Sequence, residues 1–153
     1  MYYWYLSFHS LIRWFVLVLP ILAIAYCGWA YLQNKAFDRI ANVLRSASSG
    51  FAHLQLLIGF LLYAESPLIR VFLQNPAAQI STLAVSFFSV LHFLGMTAAV
   101  VFITVGSSKA KKLDTAAEKH RAIWLWFGCA VILIIIFIPW PFSPLAQRPL
   151  IRF

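Results

Sequence analysis

His53 and His92 are the residues of this chain best placed to do chemistry. Each lies about eleven residues from the same end of its apolar stretch, His53 before Ala64 and His92 after Ser81. At ~1.5 Å rise per residue both imidazoles are expected roughly 16 Å below one membrane face. Ionisable groups at that depth are costly and mark function by default. Paired imidazoles from two helices hold haem iron from both sides, and Met96, one turn past His92, is an alternative axial ligand. A closed zinc site is not expected, because no third and fourth ligand of suitable type shares this depth.

Small residues surround both histidines. Ser46, Ser49 and Gly50 share the face of His53; Ser89, Gly95 and Ala99 share that of His92. Two readings of these positions stand side by side. Small residues let membrane helices approach closely, and they also leave a slot for a flat macrocycle beside a ligating imidazole. On the first span, His9 and Arg13 form an i, i+4 pair near one end. Arg13 lies inside the apolar boundary and needs a partner such as a haem propionate, a quinone carbonyl or Glu65, or else it snorkels to lipid phosphate. Gln55 points away from the His53 face and reads as an interhelical hydrogen bond. His120, between Lys119 and Arg121, reads as a solvated interfacial residue.

The elements that must position these groups follow from composition. Of 153 residues, 63% are apolar and 10% charged. Soluble domains carry about 25% charged residues, so this inventory does not build a water-facing surface. Four apolar stretches approach the ~20 residues that cross a bilayer. The fold class expected is an all-α integral membrane four-helix bundle, up-down-up-down, forming one domain, with spans at about 10–31, 39–64, 81–105 and 116–138.

The second span has two windows. A window from Arg39 to Ala64 contains only Arg45, which can snorkel; one from Phe51 to Leu73 must absorb Glu65, Pro67 and Arg70. The first is adopted. A short interfacial helix is expected at Leu68–Leu73, and Gly106–Lys112 is expected to end the third span. Thr115-Ala-Ala-Glu118 has the form of a capping box, and Pro139-Trp-Pro141 stops the fourth helix. Pro20 should kink the first span unless neighbours re-satisfy its freed carbonyl. Tyr2, Tyr3, Trp4 and Tyr5 precede that span as an aromatic belt. The span itself is too long for a signal-peptide core, and the tail to Phe153 is expected along the external surface.

The net charge of +8 does not point to nucleic acid, because the basic residues lie in the connections between spans. Lys35, Arg39, Arg45, Lys109, Lys111, Lys112, Lys119 and Arg121 flank loops one and three; Arg13, Arg70, Arg148 and Arg152 flank the other face. The positive-inside rule then puts loops one and three in the cytoplasm and both termini outside. Cys27 and Cys129 lie in different spans without motif spacing and read as buried, unpaired thiols. Covalent c-type haem attachment is excluded, since no Cys-x-x-Cys-His occurs. Motifs of hydrolases and transferases are also missing.

Several stretches together carry a resemblance. His9-Ser10 with Arg13-Trp14, Ala52-His53-Leu-Gln-Leu-Leu-Ile-Gly59 with Leu62-Tyr63, and His92 with Gly95-Met96 are among them. So are Gly106-Ser-Ser-Lys-Ala-Lys-Lys112 and Ile138-Pro-Trp-Pro141. They resemble small four-helix bacterial membrane proteins catalogued as cytochrome-b-like. The resemblance implies a multi-pass protein of the bacterial inner membrane. It also implies haem b, of which the matched pair His53 and His92 would hold one, flanked by Arg13, Ser49, Gly50, Ser89 and Gly95. The function expected is relay of single electrons through that haem within a respiratory or other electron-transfer complex; the partners expected are membrane lipid, other membrane redox subunits and quinol. A cofactor-free accessory subunit and a quinone-binding subunit without haem are the alternatives.

Overall fold

The computed structural model describes residues 1–143 and 148–149. All regular structure among them is helical: α1 (Tyr2–Leu32), α2 (Arg39–Glu65), α3 (Pro67–Gln74), α4 (Pro76–Gln79), α5 (Leu83–Ser86), α6 (His92–Lys112) and α7 (Ala116–Phe137). A π-helical turn, Phe87–Leu91, joins α5 to α6, making one continuous helix from Leu83 to Lys112. Four helices are thus long and apolar enough to cross a membrane, and the chain is a multi-pass membrane protein on that ground.

The helix ends have local causes. Asp38 caps α2, its carboxylate accepting the Ala41 N–H at 2.9 Å. The Thr115–Glu118 capping box forms as expected: the Thr115 hydroxyl accepts the Glu118 N–H and the Glu118 carboxylate accepts the Thr115 N–H. Pro67 and Pro76 open α3 and α4 at positions where their missing N–H costs nothing. The Arg39 window for the second span is the one observed.

Other boundaries differ. The aromatic belt is not a preface to α1 but its first turn, so α1 starts eight residues earlier than expected. It continues as helix through buried Pro20. Gly106–Lys112 stays helical, because Gly106 is a contact point and not a terminator. A Cβ there would lie 2.6 Å from the Trp126 Cβ, so glycine allows α6 and α7 to touch. Residues 144–147 and 150–153 of the proline-rich tail, Arg152 among them, lie outside the described residues.

Side-chain pairs fix the helix registers. Along α1 and α2, Phe15 stacks on Phe51 and Tyr26 donates to Asp38. Along α1 and α7, Gly28 meets Trp124, and Trp14 meets Trp140 just beyond α7. Along α2 and the third spanning helix, His53 pairs with Thr104, Phe60 with Phe93 and Tyr63 with Ser89. Residue numbers rise along one helix as they fall along its neighbour. The core is densest among Ala23, Cys27, Ala30, Ile103, Ile123 and Phe127. Cys27 is buried as expected, but Cys129 is exposed on the outer face of α7.

Candidate functional site

The expected pairing of His53 with His92 does not form. His53 is exposed, and its Nε2 lies 3.0 Å from the Thr104 hydroxyl. Thr104 follows His92 by twelve residues on the same helix, a displacement of ~18 Å along the axis. The equal-depth estimate measured both histidines from helix ends that are not level. With Tyr63 against Ser89, the start of the third spanning helix at Leu83 extends about one turn past the end of α2. His92 is therefore level with Gly59 and Phe60, not with His53.

The imidazole facing His92 belongs to His9. Their ring centroids are 6.4 Å apart, with planes inclined at 65°. His9 reaches this level because the aromatic turn Tyr2–Tyr5 is part of α1, setting His9 seven residues into the helix. Gly59 makes room for it: a Cβ at that position would sit 3.4 Å from the His9 Cε1. Gln55 donates to the His9 carbonyl at 2.9 Å and pins α2 to α1 at this level, the interhelical role expected of it.

His92 is oriented from its far side. Its Nδ1 lies 2.7 Å from the Phe137 carbonyl oxygen. A carbonyl only accepts, so Nδ1 carries the proton and Nε2 keeps a lone pair. The Phe137 ring occupies the space beside Gly95, where a Cβ would come within 2.2 Å of it. Gly95 is therefore a packing residue and not part of a macrocycle slot. The π turn before His92 also has a role. Widening the helix by one residue disturbs its regular i to i−4 bonding, and the Ser89 carbonyl accepts from the Tyr63 hydroxyl at 3.0 Å.

Around these rings lies a cavity of about 200 Å³, partly open to the outside. His9, Arg13, Gln55, Tyr63, His92 and Arg148 supply its polar wall. The Arg148 guanidinium also lies 5.0 Å from the centre of the Phe88 ring. Apolar surface dominates the rest of the wall, with Met96 among it. Inside, the His9 Nδ1 and Gln55 Oε1 are buried without a hydrogen-bond partner. Such atoms are rare in proteins and call for an explanation.

Of the residues expected to hold or flank a haem, Arg13 and His92 line this cavity, as does the alternative ligand Met96; Ser49, Gly50, His53, Ser89 and Gly95 do not. Gly50 faces open space. Ser89 is buried beside the cavity wall, its hydroxyl without a partner. His9 and Arg13 were recognisable as a pair on one face, but the partnership of His9 with His92 was missed. The available signal was the run Tyr2–Tyr5: read as helix instead of belt, it carries His9 inward to the depth of His92.

Two further expectations change at the opposite end of the molecule. Arg45 does not snorkel outward. It is 5% exposed and donates to the Ser107 hydroxyl at 2.7 Å, while Asn42 receives its other N–H groups. His120 is not solvated but fully buried, its ring 5.1 Å from that of Phe37. The short connection after α1 folds Phe37 back over it, which residue type alone did not reveal.

No protein-family model, curated protein or solved structure matches the chain.

Proposed function

We propose that this chain is a b-type cytochrome membrane subunit that relays single electrons, with one haem held between His9 and His92. The bundle would run up-down-up-down with both termini external and the basic loops in the cytoplasm, in a bacterial inner membrane. The observation that carries the reading is the 6.4 Å spacing of the two imidazoles, both of which line the cavity among the spanning helices. Metal–imidazole bonds of about 2.0–2.1 Å put the ring centres of two ligands on opposite sides of one metal roughly 6 Å apart.

The donor set fits haem better than a bare ion. Among the described residues no group of three or more His, Cys, Asp or Glu side chains converges. Two imidazoles are too few donors for a bare ion, so His9 and His92 would hold a metal whose remaining donors come from a macrocycle. Haem supplies reversible one-electron chemistry, and its reactivity is set by axial ligands and surroundings.

The protein's own groups have distinct tasks. The Phe137 carbonyl fixes the His92 tautomer so that Nε2 is the ligating atom, an arrangement that metal-binding histidines commonly use. Gly59 lets the His9 ring sit against α2. Arg13 and Arg148 are the cations on the cavity wall suited to propionates. His9 and His92 would both be committed to holding the haem, so oxygen activation is not part of the reading.

The test is a pyridine haemochrome assay on purified protein. H9A and H92A are expected to lose the reduced-haem spectrum, whereas H53A keeps it. A spectrum lost in H53A but kept in H9A would restore the pairing of His53 with His92. A haem-free wild type with quinone in its lipid extract would support the quinone-binding alternative; absence of both would leave a cofactor-free accessory subunit.

A further inference from the structure

At the end of the molecule opposite the histidine cavity, a groove runs between the last turn of α6 and the start of α7. Its upper wall holds Lys109, Lys112 and Arg121, together with Glu118; its lower wall includes Leu125 and Trp126. Helical spacing places these groups. Lys109 and Lys112 are three residues apart on α6, and Arg121 and Leu125 four apart on α7, so each pair shares a face.

The charge balance of the groove is positive. The Glu118 carboxylate is committed to the capping box, accepting from the Thr115 N–H and hydroxyl. Among the described residues the structure records no ion pair for Lys109, Lys112 or Arg121. The Lys109 ammonium instead sits 5.2 Å from the centre of the Trp126 ring, a cation–π contact that holds it over the lower wall. Leu125, 44% exposed, continues that wall along the outer face of a spanning helix.

We propose that this groove binds an anionic phospholipid, its phosphodiester held by Lys109, Lys112 and Arg121 and its acyl chains lying along Leu125 and Trp126. Basic pockets between spanning helices favour anionic headgroups, and each nearby cation adds to the attraction. A soluble phosphate would meet the cations but leave the apolar wall below them uncovered. A lipid satisfies both parts of the groove with one molecule. Trp126 stands at the junction of the two, the level that tryptophan favours in membrane proteins.

The experiment uses the full chain in nanodiscs made from an equal mixture of phosphatidylglycerol and phosphatidylcholine. After transfer to detergent, native mass spectrometry counts the lipids that remain bound. Wild type is expected to retain phosphatidylglycerol with about a tenfold preference, which the combined exchange K109Q/K112Q/R121Q abolishes. K35Q/R39Q, which removes two cations of the same face outside the groove, should keep the preference. R121Q alone should reduce it by about threefold and serves if the triple variant does not fold. Equal retention of the two lipids by wild type, or an unchanged preference in the triple variant and in R121Q, overturns the proposal. Displacement of phosphatidylglycerol by millimolar inorganic phosphate also overturns it, because the site would then recognise the anion and not the lipid.

Discussion

The two ends of this helical bundle are built from the same four spans, yet one is solid and the other hollow. At the basic end, Ala23, Cys27 and Ala30 of α1 are fully buried beside Ile123 and Phe127 of α7. Hydrogen bonds run between helices there, from Arg45 to Ser107 and from Tyr26 to Asp38. At the other end, the His9 Nδ1 and Gln55 Oε1 are buried without a hydrogen-bond partner beside a cavity of about 200 Å³. The solid end has its own orphan, the His120 Nδ1, packed beneath Phe37; the opening at that end is the outward-facing groove between α6 and α7. The contrast teaches where to look for a ligand. Close packing is the default for interiors, so an opening whose lining residues carry unsatisfied polar atoms is the place to look.

The contrast can be broken most completely at Gly59. G59F would drive a ring toward His9, which a mere Cβ already approaches to 3.4 Å. On the haem reading proposed above, the expected outcome is loss of nearly all haem absorbance while the circular dichroism of the helices is retained. Next in size is G95A. Its Cβ would fall 2.2 Å from the Phe137 ring, an overpacking expected to cost about 1–3 kcal/mol in thermal unfolding. It should also weaken haem retention by displacing the carbonyl that orients His92.

At the solid end, S107A removes the hydroxyl that receives the Arg45 N–H. Loss of a buried partner to a charged donor is expected to cost roughly 1–3 kcal/mol, read from the same melts, with haem content unchanged. G50A is a control of opposite sign. Nothing lies within 4 Å of its new Cβ, so helix propensity alone acts, a gain of about 0.5–1 kcal/mol. The smallest effect is a pH dependence at Asp38. The Ala41 N–H, and then the Tyr26 hydroxyl, hold its carboxylate below the ordinary value of 3.8. The folded state thus binds the proton more weakly than the unfolded one. Stability from this cap is fully present above the ordinary value and is lost as pH falls through the lowered one. D38N should flatten the acid limb of a stability–pH curve below about pH 4.

Much of the scaffold was legible in the residues because bilayer length and turn chemistry are local properties. The Arg39 window for α2, the helix after Pro67 and the Thr115–Glu118 capping box all depend on residues close in sequence. The site was less legible because it depends on how far one helix slides past another. His53 and His92 are equidistant from the ends of their apolar stretches, but the level of those ends is set by the connection 66–82 and by contacts such as that of Tyr63 with Ser89. Arg13 was recognisable, from its charge inside the apolar boundary, as a residue in need of a partner, and it lines the cavity. Arg45 and His120 were not, because burial by a neighbouring helix or loop leaves no mark on the residue buried.

The π turn at Phe87–Leu91 carries a genetic consequence. It amounts to one surplus amino acid in an otherwise regular helix, so its loss need not unwind anything. Deleting a single codon there would restore ordinary pitch while leaving the Leu83–Ser86 segment and α6 near their present relative orientation, so that the change falls on the turn itself. The aromatic pair Phe87 and Phe88, whose rings now stand 5.8 and 5.9 Å from that of His92, would turn aside. A one-residue deletion, usually ruinous inside a spanning helix, would here leave a well-folded protein with its histidine stripped of its shelter.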